Sequence, residues 1–193
     1  FGDKEKFTIE ELVEFFKLDS LNKSSSIFDY NKLYNINKYF IKQSQIDDLY
    51  NEFIFLTGEF KDLGKTKILE IIEAQRDRCK SIKEIIDESR YFLDINIEIN
   101  DKLMTKFIVE SNRVIFESLL DDLNKIDNWS LATIKDLIDN IMARLNLKLP
   151  EFAKPTRVAL TGSLSSPSID TTIFLLGKER CIKRLGAAKT LIT

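Results

Sequence analysis

Apolar residues recur every three or four positions along almost the whole chain, and this spacing predicts α-helices that each bury one face. The first helix begins at a capping box, in which the Thr8 hydroxyl and the Glu11 carboxylate satisfy free backbone amides. Its apolar positions share one face: Ile9, Leu12, Val13 and Phe16. After a polar loop at 20–26, the pattern predicts a short helix near 29–33 and another at 46–56.

Two glycines, Gly58 and Gly64, mark a break in this pattern. Residues 65–93 then fit one or two helices, with an interruption near 77–81. Strand signals are almost missing, because only 157–160 has a β-like pattern and it is too short to build a sheet. The predicted fold class is therefore all-α.

A polar, alternating run at 94–100 is the predicted linker of a two-part helical assembly, with one part at 1–97 and the other at 98–193. The second part contains a strongly periodic stretch, 103–123, that predicts one continuous helix. Ser130 is the predicted N-cap of the next helix. We expect that helix to bury five apolar side chains: Leu131, Ile134, Leu137, Ile138 and Met142.

Composition narrows the class of protein. With 193 residues, 44% hydrophobic and 31% charged, the chain suits one or two soluble domains of about 100 residues each. It has no apolar run of membrane-spanning length and no secretory leader, and Cys79 and Cys181 fit reduced core thiols, so we expect a cytoplasmic protein. Histidine is absent, which excludes Ser-His-Asp and Cys-His catalysis and histidine metal sites. We expect no catalytic residues, metal or cofactor in this chain.

Charge is distributed unevenly. Seven lysines and arginines against two acidic residues give 154–193 a net charge of +5, so the first 153 residues carry −7 of the overall −2. A local positive potential attracts a polyanion whatever the net charge of the protein. The alternative is a helix end with ordinary solvated lysines.

The stretch 154–185 combines basic residues, a loop of small hydroxyl residues and two helices separated by Gly177. Hydroxyls, free backbone amides and guanidinium groups are the kinds of group that bind a nucleic-acid backbone and contact unstacked bases. Arg157 is the first candidate, because its planar fork pairs bidentately with a base edge or stacks on its face. The alternative role of Arg157 is a structural salt bridge that holds the loop.

The same stretch resembles the anticodon-binding region of bacterial glutamyl-tRNA synthetases, a class I family. That family has a Pro-x-Arg-x-Ala-Leu-Thr-Gly core, then a proline, then a Leu-Leu-Gly-Lys-Glu helix junction. The matching residues, all at the family's spacing, are Pro155, Arg157, Ala159, Leu160, Thr161, Gly162, Pro167, Leu175, Leu176, Gly177, Lys178 and Glu179.

The resemblance extends through the first half of the chain. Residues 76–93 are similar to a family segment with a basic turn and an aromatic pair. Asn35 stands where the family usually has tryptophan. The connecting segment after the family's catalytic domain is matched by Lys23, Phe28, Asp29, Lys32, Leu33 and Asn37.

The resemblance implies an anticodon pocket formed by Lys154, Arg157, Ser166, Pro167 and Ile169. Ser168 replaces a common family glycine beside it. The resemblance also implies that Arg78 contacts the third anticodon base. Arg76 is the alternative match, and a surface ion pair with Glu73 or Asp77 is the alternative role.

Four basic residues of the last helix are candidates for phosphate contacts: Lys178, Arg180, Lys183 and Arg184. Each has the alternative of a solvated surface charge. Trp129 has two possible roles, stacking on a base or packing in the core, and its place before a helix cap favours packing.

The resemblance implies that the chain recognises the anticodon of tRNA(Glu) as the C-terminal part of a glutamate–tRNA ligase. The family's full enzyme activates glutamate with ATP and Mg²⁺ in an N-terminal catalytic domain, whose motifs this sequence lacks. We therefore expect that domain as a partner, no membrane association, a monomer, and no aminoacylation by this chain. The alternative is a helical protein-interaction module without RNA binding.

Overall fold

A computed structural model describes residues 4–20, 27–94 and 96–192. The predicted loop at 20–26, including Lys23, lies outside the described residues except for Ser20. Within the described ranges there are α-helices and short 3₁₀ turns and no strand, so the all-α prediction is confirmed. The helices are α1 Ile9–Phe15, α2 Tyr30–Gln43, α3 Ile46–Leu56, α4 Lys65–Arg76, α5 Ile82–Asp87, α6 Asp101–Phe107, α7 Arg113–Asn124, α8 Leu131–Leu145, α9 Leu149–Thr161, α10 Ile169–Leu176 and α11 Lys178–Thr190.

Several predicted helix boundaries are confirmed. The α1 capping box is present, with the Thr8 amide 3.0 Å from a Glu11 carboxylate oxygen and the Glu11 amide 3.2 Å from the Thr8 hydroxyl. Helix α3 has the predicted bounds, and α4 and α5 are separated at 77–81 as expected. The Ser130 hydroxyl accepts the Thr133 amide at 3.1 Å and so begins α8.

Other expectations were wrong. The helix expected near 29–33 continues to Gln43. The stretch 103–123 is two helices, because the chain leaves helical geometry at Ile108 and the Asn112 side chain donates to the Phe107 carbonyl at 3.0 Å. In α8, Ile134, Leu137 and Ile138 are buried as expected, Met142 is partly buried, and Leu131 is 42% exposed.

The helices bury two apolar clusters. The smaller is formed by α2 to α5 and includes Phe53 and Phe60, whose rings meet edge to face at 4.9 Å. The larger is formed mainly by α7 to α11, but Ile71 of α4 and Phe92 join it from the first half of the chain. The division at residue 97 stays a prediction.

Helix α9 contains the residues 157–160 that looked β-like in sequence. Val158, Ala159 and Leu160 are buried in the larger cluster, so packing outweighs their local preference. Pro155 lies inside this helix and has no N–H to donate to the Glu151 carbonyl.

Gly162 ends α9 in the left-handed conformation, with φ of 71°. The chain at Glu98 passes so close that a Cβ on residue 162 would lie 2.3 Å from the Glu98 carbonyl oxygen. Glycine therefore serves two purposes here, a backbone conformation that other residues rarely adopt and room for the passing chain.

None of the helices within 4–20, 27–94 and 96–192 combines the length and apolar content that crossing a bilayer requires. Cys79 and Cys181 are both buried free thiols, as predicted.

Candidate nucleic-acid interface

Two arginines from distant segments meet at the 163–168 loop, which joins α9 to α10. Arg157 of α9 donates from Nε to the Ser166 hydroxyl at 2.7 Å and from Nη2 to the Pro167 carbonyl at 3.3 Å. Arg78, in the turn between α4 and α5, donates from Nη2 to the Ser165 hydroxyl at 2.8 Å and from Nη1 to the Ser166 carbonyl. We call Arg78, Arg157 and this loop the two-arginine corner.

Hydroxyl groups fix the shape of the loop from within. The Thr172 hydroxyl donates toward the Pro167 and Ser168 carbonyls, at 3.2 and 2.9 Å, and lies 3.0 Å from the Ser166 hydroxyl. The Ser163 amide donates to the Thr161 hydroxyl at 3.2 Å, and the Ser165 amide to the Ser163 hydroxyl at 3.0 Å. The loop therefore has a defined shape without a ligand.

The electrostatics of the corner follow from burial and from like charges. Partial burial lowers the pKa of Arg157, the Arg78 charge lowers it further, and Tyr91 opposes both effects. Burial raises the pKa of Tyr91, and the Tyr91 hydroxyl is enclosed without a hydrogen-bond partner among the described residues. Arginine stays charged even with a lowered pKa, so the corner holds two cations beside each other.

A groove of about 340 Å³ opens beside Arg157, between α8, α9 and the start of α10. Its lining residues are Lys135, Ile138, Asp139, Met142, Leu149, Ala153, Arg157, Ser168, Ile169 and Asp170. The buried lining residues Ile138, Ala153 and Ile169 are apolar, whereas the exposed ones include Lys135, Asp139 and Ser168 as well as the apolar Leu149. A planar apolar ring with a polar edge, which describes a nucleobase, matches this distribution.

The residues expected to form one anticodon pocket do not all line the same groove in the structure. Ile169 is buried and lines the groove with Arg157, while Ser166 and Pro167 are buried beneath the loop. Leu164, Ser165 and Ser168 carry the exposed surface of the loop. Direct base contacts by Ser166, Pro167 and Ile169 stay predictions, and in this structure the Ser166 hydroxyl is engaged by Arg157 and Thr172.

Lys154 lies in a different groove from Arg157. It lines a hollow of about 450 Å³ between α6, α7 and the start of α9, together with Lys106, Ser111 and Asn112. Helix α9 therefore carries Lys154 and Arg157 into two separate concavities. The predicted contact of Lys154 with an anticodon base stays a prediction.

Three of the four phosphate candidates lie together. Lys178, Arg180 and Lys183 line a hollow of about 340 Å³ at the start of α11. The Lys178 ammonium donates to the carbonyls of Asn124 and Ile126, at 3.0 and 2.8 Å, whereas Lys183 is exposed. The local surface is positive, as the charge distribution indicated.

Arg184 does not join them, and its expected phosphate contact was wrong. The side chain is 3% exposed, and its guanidinium donates to the carbonyls of Leu160, Tyr91 and Asp94. Burial lowers its pKa. Arg184 therefore fastens the end of α9 and the 91–94 segment to α11.

The structure shows the intramolecular contacts of three residues for which the sequence left alternatives open. Arg76 pairs with Glu73 at 2.9 Å and donates to three carbonyls, those of Ile41, Lys42 and Ser44. Trp129 packs against the larger cluster and donates from Nε1 to the Phe174 carbonyl at 3.1 Å. Arg157 does hold the loop, by hydrogen bonds rather than by an ion pair, and it also lines the groove.

Sequence reasoning missed two features of this region. The role of Arg184 was detectable, because residues 181, 184, 185 and 188 follow the i, i+3, i+4, i+7 spacing of a buried face. The contact between Arg78 and Ser165 joins residues 87 positions apart, and no local pattern indicates it.

Comparison with known proteins shows which family the chain resembles. A family model described as an anticodon binding domain matches residues 39–189. The glutamate–tRNA ligase of Legionella pneumophila strain Paris is 33% identical over 97% of this chain and 40% of its own length. The glutamate–tRNA ligase of Nitrosomonas europaea is 34% identical over 95% of this chain and 40% of its own length.

Solved structures give the same fold. A glutamate tRNA ligase from Elizabethkingia meningosepticum, crystallised with its amino acid, superposes with a TM-score of 0.83 at 20% identity, over 97% of this chain and 37% of that one. The glutamate-tRNA synthetase of Elizabethkingia anophelis superposes with a TM-score of 0.78, also at 20% identity, over 95% of this chain and 36% of that one.

The family model and the fold thus place this chain in the class of helical anticodon-binding domains. The chain belongs to this anticodon binding domain family, and the relatives that it resembles over nearly all of its length are glutamate–tRNA ligases. It spans about 40% of the length of the relatives that it matches.

Proposed function

We propose that this chain binds tRNA(Glu) and recognises its anticodon at the groove beside Arg157. The observation that carries the proposal is the apolar groove between α8, α9 and α10 with a constrained arginine at its edge. The relatives' names, which pair glutamate with tRNA, support the identity of the RNA. The alternative of a protein-interaction module has no support among these comparisons.

The corner suits this task because its donors are placed before the ligand arrives. An unstacked base in the groove buries its ring against Ile138, Met142 and Ile169 and brings its edge toward the Arg157 guanidinium. A mismatched base leaves a buried donor or acceptor unpaired, which costs about 1–3 kcal/mol. Lys183 and Arg180 add contacts to phosphates, which strengthen binding without selecting a sequence.

The remaining steps belong to the full-length ligase. We propose that glutamate activation with ATP and Mg²⁺, and transfer to tRNA, take place in a catalytic domain outside this sequence. The chain's coverage of about 40% of its relatives supports this division. Its own share is selection of the tRNA.

An exposed apolar surface supports a contact with that catalytic domain. Helix α1 has only seven residues and no buried side chain, and Val13 is 75% exposed. A hollow of about 580 Å³ is lined by Phe7, Ile9, Leu12, Val13, Phe15 and Phe16. A helix this short is marginal in water, so its apolar face needs a cover. We propose that the rest of the same polypeptide provides it, in a monomeric cytoplasmic enzyme.

A binding titration tests the proposed recognition. Fluorescence anisotropy compares tRNA(Glu) with the same tRNA carrying an altered anticodon, at about 50 and 200 mM salt. We expect the altered tRNA to bind on the order of tenfold more weakly than tRNA(Glu) at either salt concentration. We also expect the affinity for each tRNA to fall on the order of tenfold from the lower to the higher salt concentration. Equal affinities for the two tRNAs would mean that the chain is attracted only to the RNA phosphate backbone and does not recognise the anticodon. Binding that does not change with salt would contradict the phosphate contacts.

A further inference from the structure

We propose that Arg78 is a positioning residue, which holds the 163–168 loop in its binding shape before RNA arrives. The inference rests on the proposed function of the loop and deepens it. Arg78 bonds the Ser165 hydroxyl and the Ser166 carbonyl, so it fixes one side chain and one peptide group of the same loop. A planar fork with two bonds restrains orientation as well as distance.

The turn that carries Arg78 is itself firmly placed. The amides of Arg78 and Cys79 both donate to the Gln75 carbonyl, at 2.9 and 3.2 Å, and Cys79 is buried. One residue before the turn, the Arg76 guanidinium is bound to three carbonyls at the end of α2 and just beyond it. Arg78 therefore extends from a turn that is held by several hydrogen bonds, and its own hydrogen bonds restrain the loop relative to that turn.

The exposed half of the loop depends on this bond. Ser166 is buried and is also held by Arg157 and Thr172. Ser165 is exposed, and its backbone amide donates a hydrogen bond to the Ser163 hydroxyl within the same loop. Within the described part of the chain, the hydrogen bond from Arg78 therefore connects Ser165 to the turn between α4 and α5, which lies outside the loop and its flanking helices.

Loss of this tie has a consequence for binding. A loop that is mobile in the free protein must be ordered when RNA binds, and the ordering cost lowers affinity for every anticodon sequence. Arg78→Gln is therefore expected to weaken binding about tenfold both for the matched tRNA and for tRNAs altered at the first or second anticodon base. The contact of Arg78 with the third base stays a separate prediction. A residue that only contacts one base would change the preference at that base and leave the loop unchanged.

The test measures hydrogen exchange in the free protein. In Arg78→Gln the amides of Ser163 and Ser165 should exchange about tenfold faster or more. Ser165→Ala, which removes one of the two bonds from the other side, should give a smaller change in the same direction. Lys80→Gln removes the same charge from the same turn and should leave exchange at both amides unchanged.

Unchanged exchange at Ser163 and Ser165 in Arg78→Gln overturns the inference, whatever the RNA measurements give. Faster exchange in Lys80→Gln of equal size also overturns it, because charge loss would then be the cause. Faster exchange confined to Arg78→Gln and Ser165→Ala supports it. If the native protein does not distinguish anticodons while this exchange pattern holds, the proposed function fails and the positioning role of Arg78 remains.

Discussion

Gly162 shows how a single residue sets the position of the loop. Its φ of 71° turns the chain out of α9, and its missing side chain lets the 96–100 segment pass against it. Both requirements are met at the residue from which the 163–168 loop begins. The match of Gly162 to a family motif thus has a physical cause in backbone geometry and space.

Replacement of Gly162 by alanine should destabilise the protein. The new Cβ would meet the Glu98 carbonyl oxygen at 2.3 Å and would also strain the backbone, so we expect a loss of about 2 kcal/mol or more. Urea unfolding measures the change. Gly186→Ala is the matched control, since a Cβ there meets nothing within 4 Å inside α11 and should gain up to about 1 kcal/mol. Equal stability of the two variants would contradict this reading.

The two thiols should be inert in the folded protein. Burial raises the pKa of both Cys79 and Cys181 to about 12, so at pH 8 almost no reactive thiolate is present. Reaction with a thiol reagent should be slow at pH 8 in the native state and should yield two thiols per chain after unfolding. Rapid labelling of the native protein at pH 8 would show that at least one thiol is accessible.

At the scale of helices, the sequence predicts elements where periodicity and caps agree. Ser130 and the Thr8–Glu11 capping box mark helix starts that the structure confirms. The break between α6 and α7 was missed because 103–123 contains no glycine or proline. The Asn112 side chain stabilises that break by a bond to the Phe107 carbonyl, and helical periodicity does not register such a bond.

The candidate site was predictable in part for the same reason. Arg157 and the loop after it belong to one continuous stretch of sequence, so a motif identifies them. Which side chains face solvent depends on how α8, α9 and α10 pack, and this packing buries Ser166 and separates Lys154 from Arg157. The contact between Arg78 and the loop depends on tertiary structure alone.

Arg184 joins elements, and its loss should be costly. Arg184→Met leaves the carbonyls of Leu160, Tyr91 and Asp94 without this donor in a buried place, so we expect a loss of about 3–5 kcal/mol. Lys183→Met changes an exposed neighbour on the same helix and should cost less than about 0.5 kcal/mol. Thermal unfolding compares them. An Arg184 variant as stable as the Lys183 variant would contradict the fastening role.

At the scale of the whole molecule, the proposed cover of α1 predicts a difference between this chain and the longer polypeptide that we propose contains it. In a Val13→Cys variant of the isolated chain, the new cysteine should react readily with a maleimide because position 13 is exposed. The two native thiols are buried and should contribute little to the labelling. In the longer polypeptide, labelling of the new cysteine should slow by about tenfold or more. Equal rates would contradict the intramolecular cover, and slow labelling of an isolated chain that sediments as a dimer would assign the surface to a second copy.

The central claim is that Arg157 and its groove discriminate between anticodons, and one comparison tests it most directly. The ratio of affinities for tRNA(Glu) and an altered-anticodon tRNA is measured for the native chain, for Arg157→Gln, and for Lys102→Gln as a charge-matched control on the exposed surface of α6. We predict that the ratio, on the order of tenfold in the native chain and the control, falls toward one in a folded Arg157→Gln. An unchanged ratio in Arg157→Gln would contradict the account.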